Sequence, residues 1–327
     1  MNNCWQDLQK PILILAPMAG YTDSAFRIIC KSQGANLLMT ELISADAIAH
    51  FAEKADSCQL LANSLRKNST MQLLNFSEKE MPIIVQLFGK HPEKFAIAAT
   101  WIEKNLCPAG IDINMGCPAK KVVSSDHGAT LLRDQDRGVE VVRAMRVATK
   151  LPLSVKTRLG WECDDEILEL APKLIEAGVD ALIIHGRTYK NGFSGEARWG
   201  NIYQLKVKSR KSKVKIIGNG DIKEYGDIEK RLKNLDGVAI GRGAVGNPFI
   251  FNKEYTNLSE NEKIKLKKNI IIKQAELTFE FKGEKGIIEL RKHLLSYFRG
   301  HERAKELRKE FVKVKNLFDI KLVLNKI

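Results

Sequence analysis

At 327 residues the chain is longer than an average single domain and matches a barrel of about 250 residues with a small appendage. Hydrophobic residues make up 44% and charged residues 28%, enough apolar material for a sizeable core, which excludes disorder as the default. The net charge of +14, from 53 Lys and Arg against 39 Asp and Glu, leaves open either a polyanionic partner or a lysine-rich composition without functional meaning.

No basic segment followed by an apolar stretch precedes the first strand-like run, and no run approaches the roughly 18 apolar residues of a membrane span. A cytoplasmic protein with no membrane contact is the expectation. Cys4, Cys30, Cys58, Cys107, Cys117 and Cys163 form no C-x-x-C pair, which argues against structural zinc, an iron–sulfur cluster or a disulfide framework. No metal is expected.

In chain order, the first predicted strand is Ile12–Ala16, running into Pro17-Met18-Ala19-Gly20. Leu37–Thr40 is the second, followed by a weakly patterned insertion, Ser57–Glu80, placed outside any barrel wall. Ile83–Phe88 carries Gln86 and leads to a helix over Pro92–Asn105. Ile111–Asn114 continues into Met115-Gly116-Cys117-Pro118, ahead of a helix over Gly138–Thr149. Leu153–Arg158 holds Lys156 and Arg158 and precedes a helix over Asp165–Ala177. Ala181–His185 ends in His185-Gly186-Arg187, and Val214–Gly218 in Asn219-Gly220-Asp221 with a helix over Ile222–Asn234. Val238–Ile240, the eighth strand, ends in Gly241-Arg242-Gly243.

Continuous apolar strands alternating with amphipathic helices mean a parallel sheet covered on its outside, as a (β/α)₈ barrel or an open doubly wound sheet. Eight units favour the barrel, and no G-x-G-x-x-G opens the first helix to favour a dinucleotide-binding sheet. The expected architecture is therefore an α/β (β/α)₈ TIM barrel over residues 1–252, followed by a small all-helical domain over 253–327. From Glu260 to Ile327 no strand pattern occurs, and 18 Lys and Arg against 10 Asp and Glu place +8 of the charge in this fifth of the chain. Such concentration favours an RNA- or phosphate-facing surface over mere composition, although a solvated helical face accounts for part of it.

In a barrel of this kind, functional groups project from the C-terminal strand ends. Glycine-rich ends at strands seven and eight suit a phosphate, with Arg242 beside it; tight turns are the bland alternative. Lys156 points into the mouth, where an ammonium group either forms a Schiff base or stabilises a developing anion. Gln86 and His185 are donors of the kind that grip a planar heterocycle, though either is equally consistent with core hydrogen bonding. Among the cysteines, Cys117 alone sits in a loop just past a strand, exposed to the mouth; Cys4 reads as part of a loose terminus.

The run Asp112-Ile113-Asn114-Met115-Gly116-Cys117-Pro118-Ala119-Lys120-Lys121-Val122, followed by Gly128-Ala129 and Leu131-Leu132, closely resembles the active-site signature of the tRNA-dihydrouridine synthases. Ala16-Pro17-Met18-Ala19-Gly20, Val155-Lys156-Thr157-Arg158, His185-Gly186-Arg187-Thr188, Asn219-Gly220-Asp221 and Gly241-Arg242-Gly243 follow in the same order, and Arg291-Lys292-His293 resembles the motif of that family's helical domain. The uninterrupted stretch after Cys117 is closest to the bacterial B class, while Ser124-Ser125-Asp126-His127 departs from the family pattern and puts the dynamics of that loop in doubt.

The resemblance implies an oxidoreductase that binds FMN, takes electrons from NADPH or NADH, and reduces a D-loop uridine of tRNA, by a weak guess at position 17. Hydride passes from flavin N5 to uracil C6, and the cysteine, here Cys117, protonates C5. Carried over by position, Pro17, Met18 and Ala19 line the isoalloxazine, Gln86, Lys156 and His185 contact its polar edge, and Asn219, Gly220, Asp221, Gly241 and Arg242 hold the phosphate. Asn114 contacts the uracil, and Arg291 and Lys292 the tRNA backbone; no protein partner is implied. Two enzymes stay as rivals, an FMN barrel oxidoreductase for a small molecule and a Schiff-base lyase using Lys156. A non-catalytic RNA-binding module is the third, and the presence of Cys117 and Lys156 argues against it.

Overall fold

The computed structural model describes residues 3–54 and 69–327. Eight parallel strands close into a barrel in sequence order: β1 (Ile12–Leu15), β2 (Leu37–Ser44), β3 (Ile83–Phe88), β4 (Gly110–Met115), β5 (Leu153–Arg158), β6 (Ala181–His185), β7 (Lys215–Asn219) and β8 (Gly237–Ile240), with β8 pairing back onto β1. The two-residue period of a strand divides each apolar run between two cores. Ile12, Ile14, Ala16, Met39, Ile183 and Ile217 fill the barrel interior, whereas Leu13, Leu15, Leu38 and Val85 pack outward beneath the helices. Each fully buried branched side chain contributes about 1.5–3 kcal/mol, so continuous apolar runs are what two-sided burial selects.

Below the barrel the chain is not loose. Residues Cys4–Asp7 form a helical turn whose Asn3 cap accepts from Trp5 N, and Asn3 Nδ2 donates to Asp180 Oδ1 at 2.7 Å. Trp5 is fully buried and packs with the interior cluster, closing the N-terminal end. Cys4 is accordingly mostly enclosed, and burial, with Asp180 nearby, pushes its thiol up to about 12. The expectation of a loose terminus is corrected: the buried Trp5 ring and the hydrogen bonds of Asn3 to Asp180 and of Gln6 to the Lys213 carbonyl dock it.

β2 runs four residues beyond Thr40, with a register irregularity between Met39 and Leu42. The polar pair Thr40-Glu41 that breaks the apolar run serves this bulge: Thr40 Oγ1 accepts from Gln86 N at 3.1 Å. Part of the expected insertion, residues 57–68 including Cys58, lies outside the described residues. Its described remainder contributes no barrel strand and lies outside the wall, but packs closely against it. Met71 and Leu74 belong to the wall core, and the buried Glu80 pairs with the buried Arg27 at 2.5 Å.

After the barrel, Ser259 and Glu262 form a capping box that opens a long helix, Glu260–Tyr297, which breaks at Gly283 (φ 62°, ψ −155°) into two helices. Ala304–Phe311 and Leu317–Leu324 complete the helical region. Its core of Ile271, Ala275, Ile287, Leu294 and Phe311 also takes in Ile29 and Phe249 from the barrel side. The helix Ser24–Ser32 therefore has two buried faces, Phe26 and Cys30 toward the wall and Ile29 toward the helical region. Among the described residues no helix is long and apolar enough to cross a membrane.

Candidate active site

Strand register sets the site. Side by side on β3, β4 and β5, Gln86, Asp112 and Ser154 form a polar layer inside the barrel; one inward step higher, Asn114 lies beside Lys156. Above them a cavity of about 1240 Å³ opens among the C-terminal strand ends and extends to the helical region, where Lys263, Lys267, Ser296 and Arg299 line it.

Most of the expected site residues meet in this cavity. Pro17, Met18 and Ala19 line it from β1, Asn114 and Cys117 from β4, Lys156 from β5 and His185 from β6. Asn219, Gly220 and Asp221 line it from β7, and Gly241 and Arg242 from β8. Gly220 has a φ of +126°, a conformation L side chains rarely adopt, and a Cβ there would lie 2.8 Å from Ala197.

The loop after β4 is fixed from both sides. Asn114 Oδ1 accepts from Gly116 N at 3.2 Å and from Cys117 N at 2.9 Å, while Arg158 Nε donates to Gly116 O at 2.8 Å and Ala129 N to Cys117 O at 3.2 Å. A short polar side chain three residues before the cysteine thus plays the part of a local cap. The thiol is left half-buried on the cavity floor.

Lys156 Nζ donates to Asn219 Oδ1 at 3.1 Å, across β6. Burial lowers this ammonium to about 8, helped by the Arg158 charge and opposed by Asp112. His185 is driven down to about 2, first by burial and then by the charges of Lys156, Arg158, Arg187 and Arg242, so its imidazole is neutral and its buried Nδ1 has no protein partner. Lys156, Arg158 and Arg242 all line this cavity and make a field that favours an anion.

Three residues, Gln86, Asp221 and Arg291, are engaged otherwise than the sequence suggested. Gln86 is fully buried in the polar layer, donating to Asp112 Oδ2 at 2.8 Å and accepting from Asn114 Nδ2 at 2.9 Å, and does not line the cavity. The Asp221 carboxylate is committed to Arg187 Nη2, at 2.7 and 2.9 Å, and to Ala197 N, so its side chain is not free for a phosphate. Arg291 and Lys292 diverge: Arg291 Nε donates to Val314 O inside the helical region, while the Lys292 ammonium lies 5.3 Å from the Tyr21 ring at the mouth. Sequence reasoning passed over Phe193, 57% exposed, which stacks 4.4 Å under Arg242 and lines the cavity. Its flanking Gly192 and Gly195, both at positive φ, were the available signal.

Fold and site define a barrel enzyme whose mouth combines a thiol, a buried ammonium group and a cationic wall. The family model described as "Dihydrouridine synthase (Dus)" matches residues 14–325, and the chain belongs to that family of oxidoreductases. A probable tRNA-dihydrouridine synthase of Aquifex aeolicus (strain VF5) is 37% identical over 296 residues, 88% of this chain and 87% of that protein. The tRNA-dihydrouridine synthase B of Pasteurella multocida (strain Pm70) is 34% identical over 312 residues, 92% and 88% of the two chains. A solved 2-naphthoyl-CoA reductase complex shares the fold at a TM-score of 0.54 and 11% identity, covering 76% of this chain and 50% of that one.

Proposed function

We propose that this chain reduces the C5–C6 double bond of a D-loop uridine in tRNA, with FMN held at the barrel mouth and NADPH or NADH as reductant. The carrying observation is that one cavity joins Cys117 and Lys156 to the cationic wall of the barrel and to Lys263, Lys267 and Arg299 of the helical region. The names of its relatives support tRNA as substrate, and the B-class likeness points to position 17.

The residues present suit a phosphorylated planar heterocycle. His185 Nδ1 and Arg187 Nη1 are buried polar atoms without protein hydrogen-bond partners. Pro17, Met18 and Ala19 would support that ring, and Lys156 and His185 would meet its polar edge. Asn219 holds Lys156 in place. Gly220, Gly241 and Arg242 would take the phosphate, with Asp221 contributing through its backbone and through Arg187.

When bound and reduced, FMN supplies the hydride that uracil C6 accepts. Cys117 Sγ then delivers its proton to C5, forming the C–H bond and leaving a thiolate; thiols as a class are protonated at neutral pH and acidic enough for a developing enolate. Asn114, whose Oδ1 is taken by the loop, would offer its second Nδ2 hydrogen to a uracil carbonyl. A stacked uridine must be extruded to arrive here at a cost of a few kcal/mol, which phosphate contacts of a helical domain over residues 253–327 would offset.

The test is Cys117→Ala in the full-length protein. It should bind FMN and tRNA and be reduced by NADPH as wild type, yet form dihydrouridine about 10²-fold more slowly, the usual contribution of a positioned general acid. Near wild-type product formation would remove Cys117 from the chemistry. The lowered Lys156 also suits a Schiff-base lyase; borohydride trapping of a substrate adduct at Lys156 would favour that reading instead.

A further inference from the structure

From Asn114 in the cavity lining a hydrogen-bond chain runs down into the barrel, and the chemistry above uses only its first member. It begins at two donors that cannot reverse, the backbone N–H groups of Gly116 and Cys117, both bonded to Asn114 Oδ1. Asn114 must therefore face Gln86 with Nδ2, which donates to Gln86 Oε1 at 2.9 Å. Gln86 is left with Nε2 toward Asp112, whose Oδ2 accepts at 2.8 Å and whose Oδ1 accepts from Ser154 Oγ at 2.6 Å. Each amide has one donating and one accepting end, so the chain has a single allowed polarity and requires an acceptor at position 112. Gln86, Asp112 and Ser154 are fully buried, and Asn114 is 6% exposed, so water cannot stand in for a missing partner.

We propose that Asp112 is a positioning residue for the Cys117 loop: through Gln86 and Asn114 it fixes the hydrogen-bond polarity that holds the Gly116 and Cys117 N–H groups, and with them the thiol. For the reaction, this rests on the reading of Cys117 as proton donor. The loop's carbonyl side has its own anchors, Arg158 on Gly116 O and Ala129 N on Cys117 O. Losing the acceptor at 112 therefore frees the N–H side of the loop while its fold remains. Burial pushes the Asp112 carboxyl up to about 7, against the pull of Ser154, Gln86 and Lys156. Protonation does not break the relay, because the acid can donate to Ser154 Oγ, whose hydroxyl turns round, while its other oxygen still accepts from Gln86. By the same logic an asparagine at 112 offers Oδ1 to Gln86 and Nδ2 to Ser154, and preserves the polarity.

The test reads the thiol directly. Native full-length protein is treated with iodoacetamide, and alkylation at Cys117 is compared by peptide mass spectrometry with the exposed Cys163 in the same sample. Asp112→Asn should match wild type. Asp112→Leu should raise the Cys117 to Cys163 ratio about fivefold or more, the shift in local opening that one net hydrogen bond governs. Gln86→Met, which removes the middle of the relay, should do the same and decides the matter if Asp112→Leu does not fold. In dihydrouridine formation, Asp112→Leu should lower kcat on the order of tenfold with little change in the KM for tRNA. A wild-type alkylation ratio in Asp112→Leu, or in Gln86→Met should the former not fold, overturns the proposal. Failure of wild-type enzyme to form dihydrouridine would overturn the functional reading instead, while the alkylation ratio still decides the relay.

Discussion

Lys156 shows how burial changes what a side chain can do. Its ammonium loses its proton near 8 in place of the usual 10.5, so the charge it offers an anionic ligand fades across the mildly alkaline range. FMN affinity, followed by quenching of flavin fluorescence, should fall as pH rises through about 8, and Lys156→Met should be weaker below that pH and lack that limb. An identical fall in Lys156→Met would place the titration elsewhere. The sign for stability is the reverse: the unfolded chain binds the proton more tightly between 8 and 10.5, so this group favours the folded apoprotein increasingly as pH rises across that window. Lys156, Cys117, Gly220 and Arg242 were legible in the sequence because each stands just past an apolar run, where a barrel strand must end. Gln86, Asp221 and Arg291 were only half legible. Their positions were right for the mouth or the tail, but their partners, Asp112, Arg187 and the Val314 carbonyl, come from other elements that no local pattern names.

Among the elements, the helix Ser24–Ser32 does the joining. Arg27 Nη1 donates to Thr22 O and Nη2 to Asn75 O, while Glu80 accepts from Arg27 Nε, Ser24 Oγ and Ser77 N. This buried pair ties the helix to the segment that leads into β3. Glu80→Ala leaves a guanidinium uncompensated and should destabilise the protein by about 3–5 kcal/mol in denaturant unfolding; a loss below about 1 kcal/mol would mean that the pair is open to water. The strands were readable because two-sided burial demands continuous apolar runs, and the helix Pro92–Asn105 because a proline opens it on a clear period. The extension of β2 was hidden by Thr40-Glu41, a polar break that only the bulge explains. The helix Gly200–Lys208 went unread because it buries only Ile202 and Leu205 and so has almost no apolar stripe.

At the scale of the whole molecule, barrel and helical region share a core through Ile29 and Phe249 and a cavity lined from both sides. The sequence located the basic charge but not this shared core, which depends on faces that meet only after folding. The divergence of Arg291 and Lys292 predicts unequal effects. Lys292→Ala should flatten the dependence of tRNA affinity on log salt by about one phosphate contact, whereas Arg291→Ala should chiefly lower the melting temperature; equal losses of slope would put both on the RNA. The central claim, that a cavity lined by both regions serves the reduction of uridine in tRNA, is tested by mixing pre-reduced full-length enzyme, without oxygen, with tRNA lacking dihydrouridine and in parallel with free uridine. The prediction is that oxidised-flavin absorbance returns with tRNA, matched by dihydrouridine in the product, and that free uridine gives no comparable reaction. Equal reoxidation by both, or none by tRNA, would contradict it.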